Sequence, residues 1–146
     1  MIESVSKKNL SEVLPLIRAY QEFYKVTNIS DDKNFEFLSQ FGEHSPSGCQ
    51  FLFRKDSDVV GFATVYFSHA TTITSKVAVL NDLYTLPTHR RTGIARMLIE
   101  RCREFAAESG AFRLQWVTAP ANEQAQKLYD SLDTNKSTWH FYTYNT

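Results

Sequence analysis

The stretch of the chain best suited to chemistry is the hexapeptide RRTGIA at residues 90–95, which combines two cations with one glycine. If a helix begins here, its first N–H groups lack partners within the helix and lie at the positive end of the helix dipole. Gly93 carries no side chain, so a pyrophosphate can approach the backbone closely, and Arg90 and Arg91 add positive charge. A solvated helix start is the alternative interpretation of the same residues.

An apolar run precedes this turn, and an amphipathic segment follows it. Residues 77–86 are rich in apolar and β-branched side chains, and the run stops at Pro87, which cannot donate to a strand ladder. After the turn, apolar side chains recur at helical spacing until Gly110 supplies a stop, at Ala95, Leu98, Ile99, Cys102, Phe105 and Ala106. The sequence therefore predicts a strand, a basic turn and a helix. It contains neither GxxxxGK[ST] nor GxGxxG, which argues against a P-loop and a Rossmann fingerprint.

Two helices and a hairpin are predicted before the central strand. Residues 2–5 predict a short strand and residues 9–25 an amphipathic helix, which Pro15 should kink or start later. Ser30 should cap a second helix that Gly42 ends. Three further segments follow: two strands at residues 49–55 and 59–67, joined through a polar turn, and a loop at residues 68–75.

The remainder of the chain predicts a crossover and a last helix. Residues 113–118 should form a strand parallel to the central one, because a helix separates the two. Asn122 should cap the last helix, whose apolar face includes Tyr129, and residues 138–144 are strongly β-prone. With 146 residues, the chain is expected to be one domain, residues 1–146, with an α/β fold and a mixed sheet flanked by about four helices.

Composition narrows the class of partner. The 16 basic and 16 acidic side chains balance, so nucleic acid is not the expected partner. The four histidines are scattered without paired ligand spacing, which gives a metal little support. Cys49 and Cys102 form no motif and are expected to be buried thiols. No signal-like segment or long apolar run is present, so we expect a cytoplasmic protein without a membrane partner.

Two motifs together resemble the acetyl-CoA signature of the GNAT superfamily of N-acetyltransferases. The first is Arg90-x-x-Gly93-x-Ala95 after the segment DLYTLP at residues 82–87, and the second is Asn122-x-x-Ala125-x-x-Leu128-Tyr129. Both occur in the order that the family shows. The run WVTAPAN at residues 116–122 and the aromatic C-terminus are similar to the branch that contains the diamine acetyltransferases.

The resemblance implies a site for acetyl-CoA and an acceptor amine. It assigns cofactor binding to the end of the central strand, the turn and the last helix, at Leu83, Tyr84, Thr85, Arg90, Arg91, Thr92, Gly93, Ile94, Ala95, Arg96 and Asn122. Tyr129 would protonate the departing thiolate, although a core aromatic is the alternative. The first two helices would form a wall of the acceptor site, with Tyr20, Glu22 and Tyr24 as candidate contacts; packing tyrosines and a solvated glutamate are the alternatives.

One departure from the family bears on the base. Many relatives in the diamine branch carry Glu where this chain has Asn81, and an amide cannot accept the proton of an amine. Asp82 remains a candidate catalytic base, with a hydrogen-bonded structural group as the alternative, and Asn81 is a candidate substrate contact. Relatives also often carry Gly where this chain has Arg91, and a Gly-Phe pair where it has Asp133 and Thr134.

The function that follows is an acetyl-CoA-dependent N-acetyltransferase without a metal. It would act on a primary amine of a small molecule, such as a polyamine or amino acid, by direct transfer in a ternary complex. A protein or peptide amine is the second candidate, and a non-catalytic acyl-CoA-binding module is the third. The resemblance admits a homodimer as the assembly.

Overall fold

Five strands and four helices make up the fold that a computed structural model describes for residues 1–146. The strands are β1 Ile2–Ser4, β2 Gly48–Lys55, β3 Asp58–Ala70, β4 Ser75–Thr85 and β5 Leu114–Gln115. The helices are α1 Leu10–Phe23, α2 Asp31–Leu38, α3 Ile94–Glu108 and α4 Glu123–Asp130. Two units can be distinguished: Met1–Trp116 holds the whole sheet with α1 to α3, and Val117–Thr146 holds α4. The predicted α/β class with a mixed sheet is confirmed, while a single domain over residues 1–146 stays a prediction.

The strands follow one another in the sheet in chain order. β1 to β4 are antiparallel neighbours, and β5 pairs in parallel with β4 through Ala78 with Leu114 and Val79 with Gln115. The predicted parallel crossover is therefore confirmed. The predicted strand at residues 113–118 is shorter than expected, because its ladder with β4 stops two residues before a bulge that bends β4.

The loop predicted at residues 68–75 is wrong, because β3 and β4 extend into both of its ends. Ser68 pairs with Val77, His69 with Lys76 and Ala70 with Ser75. A single 3-10 turn at Thr71–Ile73 separates the two strands. It is followed by Thr74, which is in the left-handed region at φ 45°. Ser68 and His69 are both exposed, so each face of the sheet is solvated at this end, and no alternation of apolar and polar residues marks the strand in the sequence.

Each face of the sheet is covered by helices. Side chains alternate between the faces along a strand, and one face packs against α1 and α2 around Leu10, Val13, Leu16, Ile17, Leu38, Leu52 and Phe62. The other face packs against α3, where the Phe105 ring lies 5.4 Å from Phe51 and 5.5 Å from Phe67. Cys49 and Cys102 are free and buried, as predicted.

The two N-terminal helices differ in detail from their predictions. α1 begins at Leu10 although Pro15 lies inside it, so the proline does not delay its start. Ser30 caps α2 by accepting a hydrogen bond from the N–H of Lys33, as predicted. The helix ends at Leu38, four residues before Gly42, where the predicted stop was placed.

The C-terminal unit contains α4 and a segment without regular structure. Asn122 caps α4 through its side-chain oxygen, which accepts from the N–H of Ala125 at 3.3 Å, as predicted. The strand predicted at residues 138–144 is wrong: these residues form no ladder, and the side chains of Trp139, Phe141 and Tyr142 are exposed. A high β-propensity yields a strand only where a partner strand accepts the backbone bonds. None of the helices is long and apolar enough to cross a membrane.

Candidate functional site

A bulge in the central strand is the first feature of the site. Thr64 of β3 pairs with Asp82, whereas the next residue, Val65, pairs with Leu80, which leaves Asn81 as an extra residue on β4. Such bulges bend the strand and are common next to active sites. The amide of Asn81 is exposed and donates both to the hydroxyl of Tyr66 at 3.2 Å and to Oδ1 of Asp82 at 2.9 Å. The bulge therefore brings an amide, a phenol and a carboxylate together.

The carboxylate of Asp82 is the centre of this cluster. It accepts hydrogen bonds from the side chains of Thr64, Tyr20 and Asn81, which come from β3, α1 and β4. Burial raises the pKa of Asp82 above its usual value, and the three hydrogen bonds oppose that shift. A carboxylate has about four lone-pair sites, so a fourth donor can still bind.

The two phenols beside Asp82 remain protonated at neutral pH. Burial, and then the negative charge of Asp82, hold the pKa of Tyr20 well above its usual range. The same causes raise the pKa of Tyr66 to about 12. Both hydroxyls therefore keep their protons and do not act as bases.

Aromatic rings surround the carboxylate on the side of the N-terminal helices. The ring of Tyr20 lies 4.9 Å from Tyr24, 5.7 Å from Phe62 and 6.0 Å from Tyr84. Tyr24 is more than half exposed, so this wall opens to solvent. Aromatic faces beside a carboxylate favour an organic cation. The structure thus brings together Tyr20, Asn81 and Asp82 with Tyr24 at the edge, whereas Glu22 is exposed and makes none of these contacts.

The second half of β4 has an open edge. β4 pairs with β5 only through Ala78 and Val79 and then runs on to Thr85 without a partner on that side. Alternate backbone groups of a strand point to each edge, so residues 80–85 present unpaired N–H and C=O groups there. Leu83, Tyr84 and Thr85 lie in this part, and the buried hydroxyl of Thr85 has no hydrogen-bond partner. An extended ligand that carries amides can pair with such an edge.

The turn between β4 and α3 presents backbone donors. Gly93 precedes α3 as its N-cap at φ 85°, and Arg91 also has a positive φ of 61°. The N–H groups of Gly93, Ile94 and Ala95 donate to no backbone carbonyl. A Cβ built on Gly93 would meet nothing within 4 Å, so the space beside this backbone is open. These are the properties of an anion site at a helix N-terminus.

The side chains of the turn mostly support its backbone. Arg90 donates from Nε to the carbonyl of Thr85 at 3.0 Å, and its guanidinium lies 5.6 Å from the centroid of the Tyr84 ring. The hydroxyl of Thr92 donates to the carbonyl of His89. Arg91 and Arg96 are exposed at the surface. Arg90 therefore holds the turn against the end of β4.

The C-terminal unit holds the second predicted group of residues. Asn122 caps α4, and Ala125, Leu128 and Tyr129 are all half-buried, as expected for the inner face of an amphipathic helix. This spacing agrees with the predicted helix. The roles of Tyr129 and Asn122 in catalysis and cofactor binding stay predictions.

Sequence reasoning missed three polar residues of the site, namely Gln50, Thr64 and Tyr66. Phe62, Thr64 and Tyr66 alternate along β3 and so share the face that carries Asp82 on the neighbouring strand. The polar Thr64 within an otherwise apolar stretch of β3 could have indicated a residue of the site. Its partner Asp82, however, follows only from the register between the two strands. No group of three or more histidine, cysteine, aspartate or glutamate residues is placed to hold a metal ion.

Comparison with known proteins identifies relatives along most of the chain. The protein-family model described as Acetyltransferase (GNAT) family matches residues 14–142 of this chain. Thialysine N-epsilon-acetyltransferase of Caenorhabditis elegans is 25% identical over 132 residues, covering 90% of this chain and 81% of the relative. D-amino-acid N-acetyltransferase HPA3 of Saccharomyces cerevisiae is 40% identical over 73 residues, 49% of this chain and 45% of the relative. A crystal structure of a probable acetyltransferase has a TM-score of 0.85 and 26% identity, covering 100% of this chain and 97% of its own.

Proposed function

The chain belongs to the GNAT family and is an acetyl-CoA-dependent N-acetyltransferase, and from this premise we propose that it acetylates a primary amine of a small molecule by direct transfer in a ternary complex. The acceptor class is a polyamine, an amino acid or a similar compound. Relatives named for thialysine and for D-amino acids support an acceptor of this size.

One observation carries the acceptor class: a carboxylate within an aromatic wall. An alkylamine with a pKa of about 10.4 is protonated at neutral pH, so it arrives as a cation. Asp82 attracts this cation and has a free acceptor site, while the rings of Tyr20 and Tyr24 offer faces to its charge and its methylenes. A small alkylammonium group matches this combination of charge and aromatic surface.

The amine must lose its proton before it attacks, and the site holds no strong base. Asn81 is an amide, and Asp82 is a carboxylate, a group whose reference pKa lies far below that of an alkylamine. We therefore assign Asp82 the orientation of the amine or of a water that carries its proton. The rate should rise toward alkaline pH, with an apparent pKa that follows the amine.

The other half of the site fits acetyl-CoA. The cosubstrate supplies an acyl group activated as a thioester. The free N–H groups of Gly93, Ile94 and Ala95 would hold its pyrophosphate, and the open edge at Leu83 to Thr85 would pair with its amides. Arg91, Thr92, Arg96 and Asn122 complete the proposed cofactor set.

Direct transfer is supported by the state of the cysteines. Cys49 and Cys102 have no exposed surface. Burial raises the pKa of the Cys49 thiol to about 12 and shifts that of Cys102 in the same direction. A thiol that is neither exposed nor ionised is a poor nucleophile, so a covalent acyl-cysteine is disfavoured.

The test is the release of coenzyme A from acetyl-CoA with a panel of amines. Polyamines, amino acids, aminoglycosides and a basic peptide would be compared, and then a series of amines of different pKa would be assayed across pH. We expect turnover with a small amine, and loss of amine affinity in Asp82→Asn but not in the charge-matched control Glu43→Gln, which lies at an exposed position. Turnover with the peptide alone would favour a protein substrate. Tight binding of acetyl-CoA without turnover would favour a regulatory module.

A further inference from the structure

A row of three polar side chains crosses the sheet beneath the site. Gln50 of β2 pairs with Thr64 of β3, and Thr64 pairs with Asp82 of β4, so the three stand side by side on one face. Gln50 is 1% exposed and Thr64 is fully buried. The adjacent row on the same face is apolar or aromatic, with Leu52, Phe62 and Tyr84. The polar row therefore interrupts a core that could be apolar throughout.

The hydrogen bonds in this row have a direction. Nε2 of Gln50 donates to Oγ1 of Thr64 at 3.0 Å. A hydroxyl has a single proton, and because the amide already occupies an acceptor site of Thr64, that proton is left for Asp82, which accepts from Thr64. The amide thus determines which way the hydroxyl of Thr64 points.

The row is maintained at a cost to stability. Oε1 of Gln50 is buried and has no hydrogen-bond partner. An unpaired buried acceptor loses its hydration without compensation, and an apolar side chain of similar size would avoid this loss. A buried polar group that stability does not explain requires another reason.

We propose that Gln50 and Thr64 are positioning residues for the Asp82 carboxylate. The chain Gln50 to Thr64 to Asp82 holds one side of the carboxylate, so that its remaining acceptor capacity is directed at the acceptor amine. Tyr20 of α1 and Tyr66 of β3 are the titratable side chains that face Asp82, and both are uncharged at neutral pH. This role rests on the proposed function of Asp82 in amine binding.

Gln50→Leu is the decisive variant, because stability and activity should change in opposite directions. Loss of the unpaired Oε1 should raise the melting temperature, whereas a freely rotating Thr64 hydroxyl should lower kcat/KM for the amine by about tenfold. The KM for acetyl-CoA should stay unchanged. Unchanged or higher kcat/KM for the amine, or a parallel fall in stability and activity, would overturn the proposal.

Thr64→Val and Thr64→Ser test the second link with a readout that needs no turnover. The carboxyl carbon of Asp82, followed by NMR during a pH titration, should report a pKa about one unit higher in Thr64→Val, because a donor to the anion is lost. Thr64→Ser keeps the donor and should restore the wild-type titration. Val60→Ala, a buried neighbour of the same strand, should lower stability without moving this pKa.

The two proposals fail in distinguishable ways. If the wild-type protein acetylates no amine, the proposed function fails, but the NMR titration still tests the hydrogen-bond chain. If turnover is present while Thr64→Val leaves both the Asp82 pKa and kcat/KM unchanged, the positioning role is wrong and the function stands. If Thr64→Val does not fold, Gln50→Leu decides alone, since it removes an unfavourable buried group.

Discussion

The bulge of β4 and the turn that follows this strand are built by different means. Around the bulge at Asn81, side chains from α1, β3 and β4 converge on Asp82 through hydrogen bonds. Beyond the end of the strand, the turn offers backbone N–H groups at Gly93 and the start of α3, while the side chains of Arg90 and Thr92 bond back to the protein. A site made of backbone N–H groups should lose affinity when a substitution adds atoms on the side that the ligand approaches. A site made of side chains should lose activity when a substitution removes the atoms that form its hydrogen bonds.

This difference also separates what the two regions require for folding. The turn depends on local conformation, with Arg91 and Gly93 in the left-handed region. The bulge cluster depends on the register of three strands and on the packing of α1. Substitutions should therefore act on cofactor affinity in one region and on amine turnover in the other.

The largest effect is expected from Tyr129→Phe. This substitution tests whether Tyr129, rather than a residue of the bulge cluster or the turn, supplies the proton for the departing thiolate. The tyrosine hydroxyls of the bulge cluster are Tyr20, which donates to Asp82, and Tyr66, which accepts from Asn81. If Tyr129 is the acid, its loss should lower kcat by about tenfold to ten-thousandfold with little change in acetyl-CoA affinity. Steady-state kinetics and calorimetric titration would measure the two quantities.

Tyr144→Phe is the matched control, because this tyrosine of the same unit is 96% exposed and lies outside the proposed site. It should behave as the wild type. Wild-type turnover in Tyr129→Phe would return Tyr129 to a packing role, and Tyr66→Phe would then be the next variant to assay.

The second prediction concerns the backbone region. Gly93→Ala adds one methyl group to a space that is open in the protein, so any clash must be with the ligand. Acetyl-CoA affinity should fall by at least about tenfold, or about 1.4 kcal/mol. Calorimetric titration would measure the affinity, and thermal unfolding would measure the strain of an L-residue at φ 85°.

Gly110→Ala is the matched control, because Gly110 also has a positive φ of 78° and open space at its Cβ, but lies beyond the C-terminus of α3. It should lose similar stability and keep its affinity. Equal losses of affinity in Gly93→Ala and Gly110→Ala would show that backbone strain, not contact with the ligand, lowers the affinity.

Arg91→Gly is the converse change, because it replaces an arginine in the left-handed region by a glycine, which adopts that region without strain. Acetyl-CoA affinity should stay within about threefold of the wild type, because the charge that is lost lies at the surface and is screened by salt.

Local signals in the sequence predicted the turn, whereas contacts between residues that are distant in the sequence were missed. The strand, Gly93 and the helix follow one another within about thirty residues, and the capping roles of Ser30 and Asn122 depend on neighbours three residues away. The hairpin at residues 68–75 and the row from Gln50 to Asp82 depend on which strands pair and in which register. Propensity does not contain that information, and for the same reason it wrongly predicted a strand at residues 138–144.

The smallest effect concerns folding, and it should reveal that the side-chain region carries a charge that the fold disfavours. The pKa of Asp82 is raised above its value in the unfolded chain, mainly by burial, so the folded state holds this proton more tightly. Stability from this group is then present below the unfolded pKa and decreases as pH rises through the folded pKa. Asp82→Asn removes the charge, so its melting temperature should exceed that of the wild type at neutral pH, and the gap should close as pH falls toward the ordinary range of a carboxyl.

Glu3 supplies a control of opposite sign in the same sheet. Its pKa is lowered, first by a hydrogen bond from Arg54, which donates to Oε1 of Glu3 at 2.8 Å. Stability from Glu3 is therefore present above its unfolded pKa and is lost as pH falls through its folded pKa. Glu3→Gln should lower the melting temperature at neutral pH, and that difference should also vanish in acid. If Asp82→Asn lowered the melting temperature at neutral pH, as Glu3→Gln is expected to do, the Asp82 carboxylate would be a stabilising group, and the contrast between the bulge of β4 and the turn that follows the strand would fail.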